Sequence, residues 1–164
     1  MTISESARVN TAAEYLFRVD APNSIGRTAS LIALDPESMG PVRAAVAAAP
    51  ERRGLVELAL SDVTNLPALL RSLPGQTRAI IDEATRSDMV VMVAKAGYRG
   101  DGASLLGEAC RLRNIAVTAV VVAPSEASDV DVTMTLARLR PFATMLVVVG
   151  QVDYLGDMLD ALRA

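Results

Sequence analysis

The stretch DMVVMVAKAGYRGDGASLLGEACRLRNIAVTAVVVAP, from Asp88 to Pro124, decides the fold. It reads as an apolar run (Met89 to Ala94), a loop carrying three glycines (Ala96 to Gly102), a helix (Ala103 to Arg113) and a second apolar run (Ile115 to Val122). Neither run alternates with polar residues. Continuous apolar strands are those covered by helices on both faces, the pattern of a parallel sheet. The stretch is therefore a βαβ unit whose loop follows the carboxyl end of a strand. Ligands of open α/β sheets bind at such ends, and the amides of a helix N-terminus favour anions there.

Outward from this unit the same alternation continues. Ser128 is placed to cap a helix from Asp129 to Arg140, Thr144 to Val149 is a buried strand, and Gly150 is a turn. A last helix, Val152 to Arg163, presents Leu155, Met158, Leu159 and Leu162 to a core. Toward the N-terminus, Tyr15, Phe17 and Val19 alternate in a half-buried strand, Glu14 to Asp20. After the turn-rich Ala21 to Thr28, Ala29 to Leu34 is expected as a strand, with a short helix as the alternative, because Asp35-Pro36 closes it abruptly. Pro41 to Ala49 suits a helix stopped by Pro50, and Leu55 to Leu60 a third or edge strand. A helical turn at Leu66 to Leu73 and a helix at Gln76 to Arg86, with Ile80, Ile81 and Ala84 on one side, complete the reading. The expected fold class is a single-domain α/β protein with a mostly parallel, doubly wound, Rossmann-like sheet in three layers. One domain spans residues 1–164, with 1–10 a loose lead-in.

Composition excludes more chemistry than it suggests. Histidine is absent, so one chain cannot supply Ser-His-Asp or Cys-His catalysis, zinc hydrolysis through His ligands, or ordinary His proton transfer. The single cysteine, Cys110, permits no internal disulfide and no cysteine metal cluster, and its apolar helix position suits an inert buried thiol. A net charge of −3 with scattered arginines gives no basic surface for nucleic acid. No apolar run approaches the roughly 20 residues that span a bilayer, so no membrane partner is expected. The N-terminus MTISESARVN lacks a secretory pattern, which places the protein in the cytoplasm.

The loop Ala96-Gly97-Tyr98-Arg99-Gly100-Asp101-Gly102 is the expected ligand site. Gly97, Gly100 and Gly102 would let backbone approach a ligand, Asp101 could cap the next helix, and Arg99 with Lys95 would add positive charge beside the free amides. Tyr98 belongs to the same binding set. The same features would equally make a tight strand-to-helix turn. Ala21 to Thr28, APNSIGRT, has the spacing of a phosphate loop, but Ala21 and Arg27 replace its first glycine and its lysine. A surface turn explains it better. Asp35, Asp62, Asp101 and Asp153 fall at strand ends, where acids bind ribose or magnesium or simply cap helices. No metal-ligand set is assigned from them. Gln151 and Tyr154 lie where they could rim the same crevice.

Residues 88–150 resemble the nucleotide-binding half of tubulin-like GTPases of the bacterial cell-division type. Ser87-Asp88 stands where that family has Ala-Asp before an apolar strand, and Gly100, Asp101, Gly102 and Ala103 would lie over the end of its glycine loop. The helix of Cys110, the strand to Val122, the helix to Arg140 and the strand Thr144 to Val149 follow in the family's order. The loop here is shorter and lacks the family's threonine. What the resemblance implies is the fold, a ligand over the loop, and a nucleotide-like character for it; it does not extend to GTP hydrolysis.

Three function classes follow. The leading one is a small-ligand-binding domain for a nucleotide-like or other anionic metabolite. The others are a non-catalytic subunit of a homo- or hetero-oligomer, and a cofactor-dependent enzyme working without histidine. No catalytic residue or particular cofactor is assigned.

Overall fold

A computed structural model describes residues 27–51, 53–55, 82–150 and 154–162. Its strands are β1 (Ala29–Ala33), β2 (Arg53–Leu55), β3 (Met89–Lys95), β4 (Ala116–Val122) and β5 (Met145–Val149). The helices are α1 (Met39–Ala48), α2 (Gly102–Leu112), α3 (Asp129–Leu139) and α4 (Tyr154–Ala161), with a 3-10 turn at Pro36–Ser38 leading into α1. All strand pairs are parallel, in the order β2-β1-β3-β4-β5.

The layering around this sheet is a consequence of patterning. Every residue of β1 is buried, as are Met89 to Ala94 of β3 and Val117 to Val122 of β4, so each of these strands needs cover on both faces. On one face Ile32, Val90, Met92 and Val121 pack with Leu106 and Cys110 of α2 and Leu139 of α3. On the other, Leu31, Val91, Val93 and Val120 pack with Val42 of α1 and Leu155 and Leu159 of α4. The result is the expected three-layer, doubly wound α/β fold. Each fully buried aliphatic side chain of this kind contributes about 1.5–3 kcal/mol.

β1 lies between β2 and β3, and the chain leaves it toward β2 on one side and resumes at β3 on the other. The winding direction therefore reverses between β1 and β3, which makes their carboxyl ends the switch point. Registers keep these ends level: Ala33 pairs with Val93, and Lys95 with Val122. The start of α3 was readable in advance. Ser128 caps α3, its hydroxyl accepting from the Asp131 amide at 3.1 Å. α2 closes through left-handed Asn114, with Ile115 N–H donating to Cys110 O at 2.9 Å.

One boundary is corrected. β2 begins at Arg53, two residues before the expected strand, because the Arg53 side chain is buried rather than solvated. Its guanidinium donates to Ala45 O of α1 at 2.9 Å and pairs with Asp160 of α4, tying the edge strand under both helices. Asp82 to Ala84 are helical, as the end of the expected 76–86 helix. The strand expected over Glu14 to Asp20, the remainder of the one over Leu55 to Leu60, and the helical turn at 66–73 lie outside the described residues.

Candidate functional site

Asp35 is the first residue to consider at the switch point, because it joins the two strand ends. It follows β1 in extended conformation and caps the Pro36–Ser38 turn. Oδ1 accepts from the Ser38 amide at 2.8 Å, Oδ2 accepts from the Lys95 amide at 2.8 Å, and the Ser38 hydroxyl donates to the pair at 2.9 and 3.0 Å. One carboxylate thus ends β1, starts the route to α1 and takes the last amide of β3. Beside it, the Lys95 ammonium pairs with Glu37, which together with Asp35 raises the lysine's pKa above its ordinary value. Asp35, Pro36, Glu37, Lys95, Ala96, Gly97 and Tyr98 line a crevice of about 220 Å³.

The loop after β3 is fixed by backbone bonds on one side and α3 on the other. Ala96 N–H donates to Val122 O at 2.8 Å, and Gly97 N–H donates to Thr135 Oγ1 at 2.9 Å. Thr135 is wholly buried and itself donates to Asp131 O at 2.8 Å. Gly97 has φ +95°, which a side chain rarely tolerates. Its open side faces the Asp131 carboxylate, which a methyl group there would meet at 3.7 Å.

From Gly97 the chain turns Tyr98 inward. The ring joins the core on the α2 side of the sheet, and Gly100 passes directly over it: a Cβ at position 100 would lie 2.9 Å from both Tyr98 Cε2 and Oη. Burial raises the Tyr98 pKa, while the facing amides of Ala103 and Gly102 work to lower it. The hydroxyl meets hydrogen-bond geometry with none of its neighbours.

Of the seven expected site residues, Lys95, Gly97 and Tyr98 line the crevice and Arg99, Gly100, Asp101 and Gly102 do not, and several roles differ from the expected ones. Asp101 occupies the N-cap position of α2 with φ −98° and ψ 2°, outside the extended region caps prefer, and its side chain accepts no bond from the first turn. Its carboxylate lies 4.0 Å from Arg138 instead. Lys95 does not face the α2 amides as a free cation, because Glu37 takes it. Arg99 is exposed and makes no ion pair among the described residues, so it carries the positive charge expected of the loop. Gly100 gives room to Tyr98, and Gly102 is the buried first residue of α2.

Other candidates separate spatially. Thr28, the last residue of APNSIGRT, enters β1 at its amino end and donates its amide and hydroxyl to Asp88 Oδ2, both at 2.8 Å. The crevice lies beyond the other end of that five-residue strand, roughly 16 Å away at 3.3 Å per residue. Residues 21–26, Asp62, Gln151 and Asp153 lie outside the described residues. Tyr154 opens α4 and is exposed. Among the described residues no three ligating side chains converge as a metal group would require. Cys110 is buried and its thiol is pushed up to about 11, in keeping with an inert core residue.

Sequence reasoning missed Glu37, Asp131 and Thr135. Thr135 was detectable as a hydroxyl on the inner side of a helix that otherwise presents Leu136 and Leu139, though nothing local says which loop it serves. A roomier hollow of about 430 Å³ opens at the amino end of β4, between α2 and the Pro141 to Thr144 turn. Its one cation, Arg111, is held by Glu108 at 2.8 Å, and no unpartnered buried side chain points into it. The smaller crevice sits at the switch point and has the stronger claim.

No protein-family model matches this chain, and no curated protein matches it in sequence. Among the described residues, no helix is long and apolar enough to cross a membrane.

Proposed function

We propose that this chain is a small-ligand-binding domain whose ligand is a nucleotide-like or otherwise anionic metabolite held at the carboxyl ends of β1 and β3. The observation carrying this reading is the crevice between Asp35 and the Lys95 to Tyr98 segment, at the reversal of strand order. Its 220 Å³ is below the roughly 300–1,000 Å³ that encloses a whole drug-sized ligand, so it takes a sugar-sized portion of the molecule. Glu37 and Asp35 offer acceptors for hydroxyl groups, and the start of α2 with Arg99 lies next along the loop for an anionic group. The resemblance of residues 88–150 to tubulin-like GTPases points to the same loop and to a nucleotide-like ligand.

A thermal-shift screen against nucleotides, dinucleotides, coenzyme A derivatives and phosphorylated metabolites, with and without magnesium, tests this reading. A ligand at about a hundred times its dissociation constant stabilises the fold by roughly 2.7 kcal/mol. Arg99→Ala should then weaken an anionic hit by about 1–3 kcal/mol, the range for a charged hydrogen bond. Silence across the panel would defeat the proposal.

A second reading, a subunit of an oligomeric assembly, draws on the far edge of the sheet. Four of the five large apolar residues exposed among the described residues, Val130, Met145, Val148 and Tyr154, lie on β5 or on the helices either side of it. An uncharged edge strand with such flanks is a surface for another chain. A solution mass above 17.3 kDa that falls to 17.3 kDa in Val148→Lys would favour it.

A further inference from the structure

The first turn of α2 lacks the cap its sequence promises. An α-helix leaves its leading N–H groups without intrahelical partners, and the Asp101 side chain takes none of them. The Tyr98 hydroxyl lies against Gly100, two residues before α2 begins, and the Gly102 and Ala103 amides act to lower its pKa. Tyr98 is only 7% exposed, and its hydroxyl is shielded from solvent without a hydrogen-bond partner. Gly100 closes the other side, where even one added carbon would touch Oη at 2.9 Å. A neutral oxygen therefore occupies the place of an anion's oxygen at a helix N-terminus of eleven residues, and its own proton has no acceptor. Buried hydroxyls without partners are unfavourable, so this arrangement is a poor substitute for a charged occupant.

We propose that Tyr98 is a built-in plug: the first turn of α2 is a site for a phosphate-type oxyanion, and the anion gains the Gly102 and Ala103 amides only by displacing the Tyr98 phenol. This rests on the ligand-binding reading above and adds how access to that site is controlled. The anion's oxygen accepts from the two amide N–H groups once the phenol has moved aside, and exposed Arg99, one residue along, meets its outer oxygens. The freed hydroxyl regains water. Because the amides are covered in the resting protein, apparent affinity is reduced by the fraction of molecules with the ring in place.

Pyrophosphate is the probe, titrated into the full chain while the amide resonances of Gly102 and Ala103 are followed. The chain has three tyrosines and no tryptophan, so Tyr15→Phe with Tyr154→Phe leaves Tyr98 emission alone to be read by acrylamide quenching. Both amides should shift, and Tyr98 should become quenchable over the same concentration range. Tyr98→Phe removes the substitute oxygen and should bind pyrophosphate about threefold tighter, and Tyr98→Ala about tenfold tighter or more, since a smaller fraction of molecules is then closed. If Tyr98→Ala does not fold, Tyr98→Phe decides, because a hydroxyl that served as a donor to the anion would make that variant bind about tenfold weaker. Such weakening overturns the plug, as does a shift of the two amides while Tyr98 stays protected, or their silence in every variant. Nucleotides that shift Lys95, Ala96 and Gly97 but leave Gly102 and Ala103 unmoved would remove the plug and keep the crevice; silence at both sets removes both.

Discussion

Replacing Asp35 by alanine removes the carboxylate that links the end of β1 to the Lys95 amide of β3. Two losses can be worked from its contacts. The cap on the Pro36–Ser38 turn, made to the Ser38 amide at 2.8 Å, is worth about 1 kcal/mol. The charged bond to the Lys95 amide at 2.8 Å is worth about 1–2 kcal/mol here, at the lower end of its range, because the crevice is open and water can reach part of the freed group. Asp35→Ala should therefore cost about 2–3 kcal/mol, and Asp35→Asn, which keeps one acceptor oxygen, roughly half as much. Urea denaturation at pH 7 measures this as a lowered midpoint at unchanged slope. Hydrogen exchange supplies the local readout, since the Lys95 amide should lose protection in Asp35→Ala while that of Val91, inside the same strand, keeps its own. A cost below about 1 kcal/mol with Lys95 still protected would refute the assignment of Asp35 as the joint between the strands.

Gly107 of α2 has no room for a methyl group: its Cβ would sit 2.7 Å from Phe142 Cγ, 2.8 Å from Cδ1, and closer still to Cβ. Gly107→Ala should destabilise by about 1–2 kcal/mol, overpacking outweighing the gain in helix propensity, and in a Phe142→Gly background the same change should instead stabilise by up to about 1 kcal/mol. Asp160→Ala, which strips one partner from buried Arg53, should cost about 1–2 kcal/mol by denaturant titration. The amide and hydroxyl of Thr28 hold the Asp88 carboxyl below its usual range, so its contribution is present above the ordinary carboxylate pKa and lost as pH falls through the lowered value. Asp88→Asn should be less stable than the parent at pH 7, and the gap should narrow once pH drops below about 4; a constant gap would contradict the linkage.

Which parts of this protein its sequence determined follows from the range of the forces involved. Periodicity and capping act within a few residues. The unbroken apolar runs of β3 and β4 therefore announced a sheet covered on both faces, and Ser128 announced the start of α3. Glycine content likewise marked the Ala96 to Gly102 loop as a close approach of backbone to something. What it approaches depends on contacts distant in sequence, and only the tertiary structure decided those. Gly97 meets Thr135 on α3, Lys95 meets Asp35 and Glu37 some sixty residues earlier, and Gly100 meets a ring that the loop itself has turned inward. Asp101 and Lys95 illustrate the limit from the other side. Each has the chemistry for the role local reasoning gives it, and each is drawn away by an opposite charge that the fold brings near, Arg138 in one case and Glu37 in the other. Spacing along a chain states which partners a side chain could satisfy, whereas the packing of helices against the sheet determines which of them it reaches.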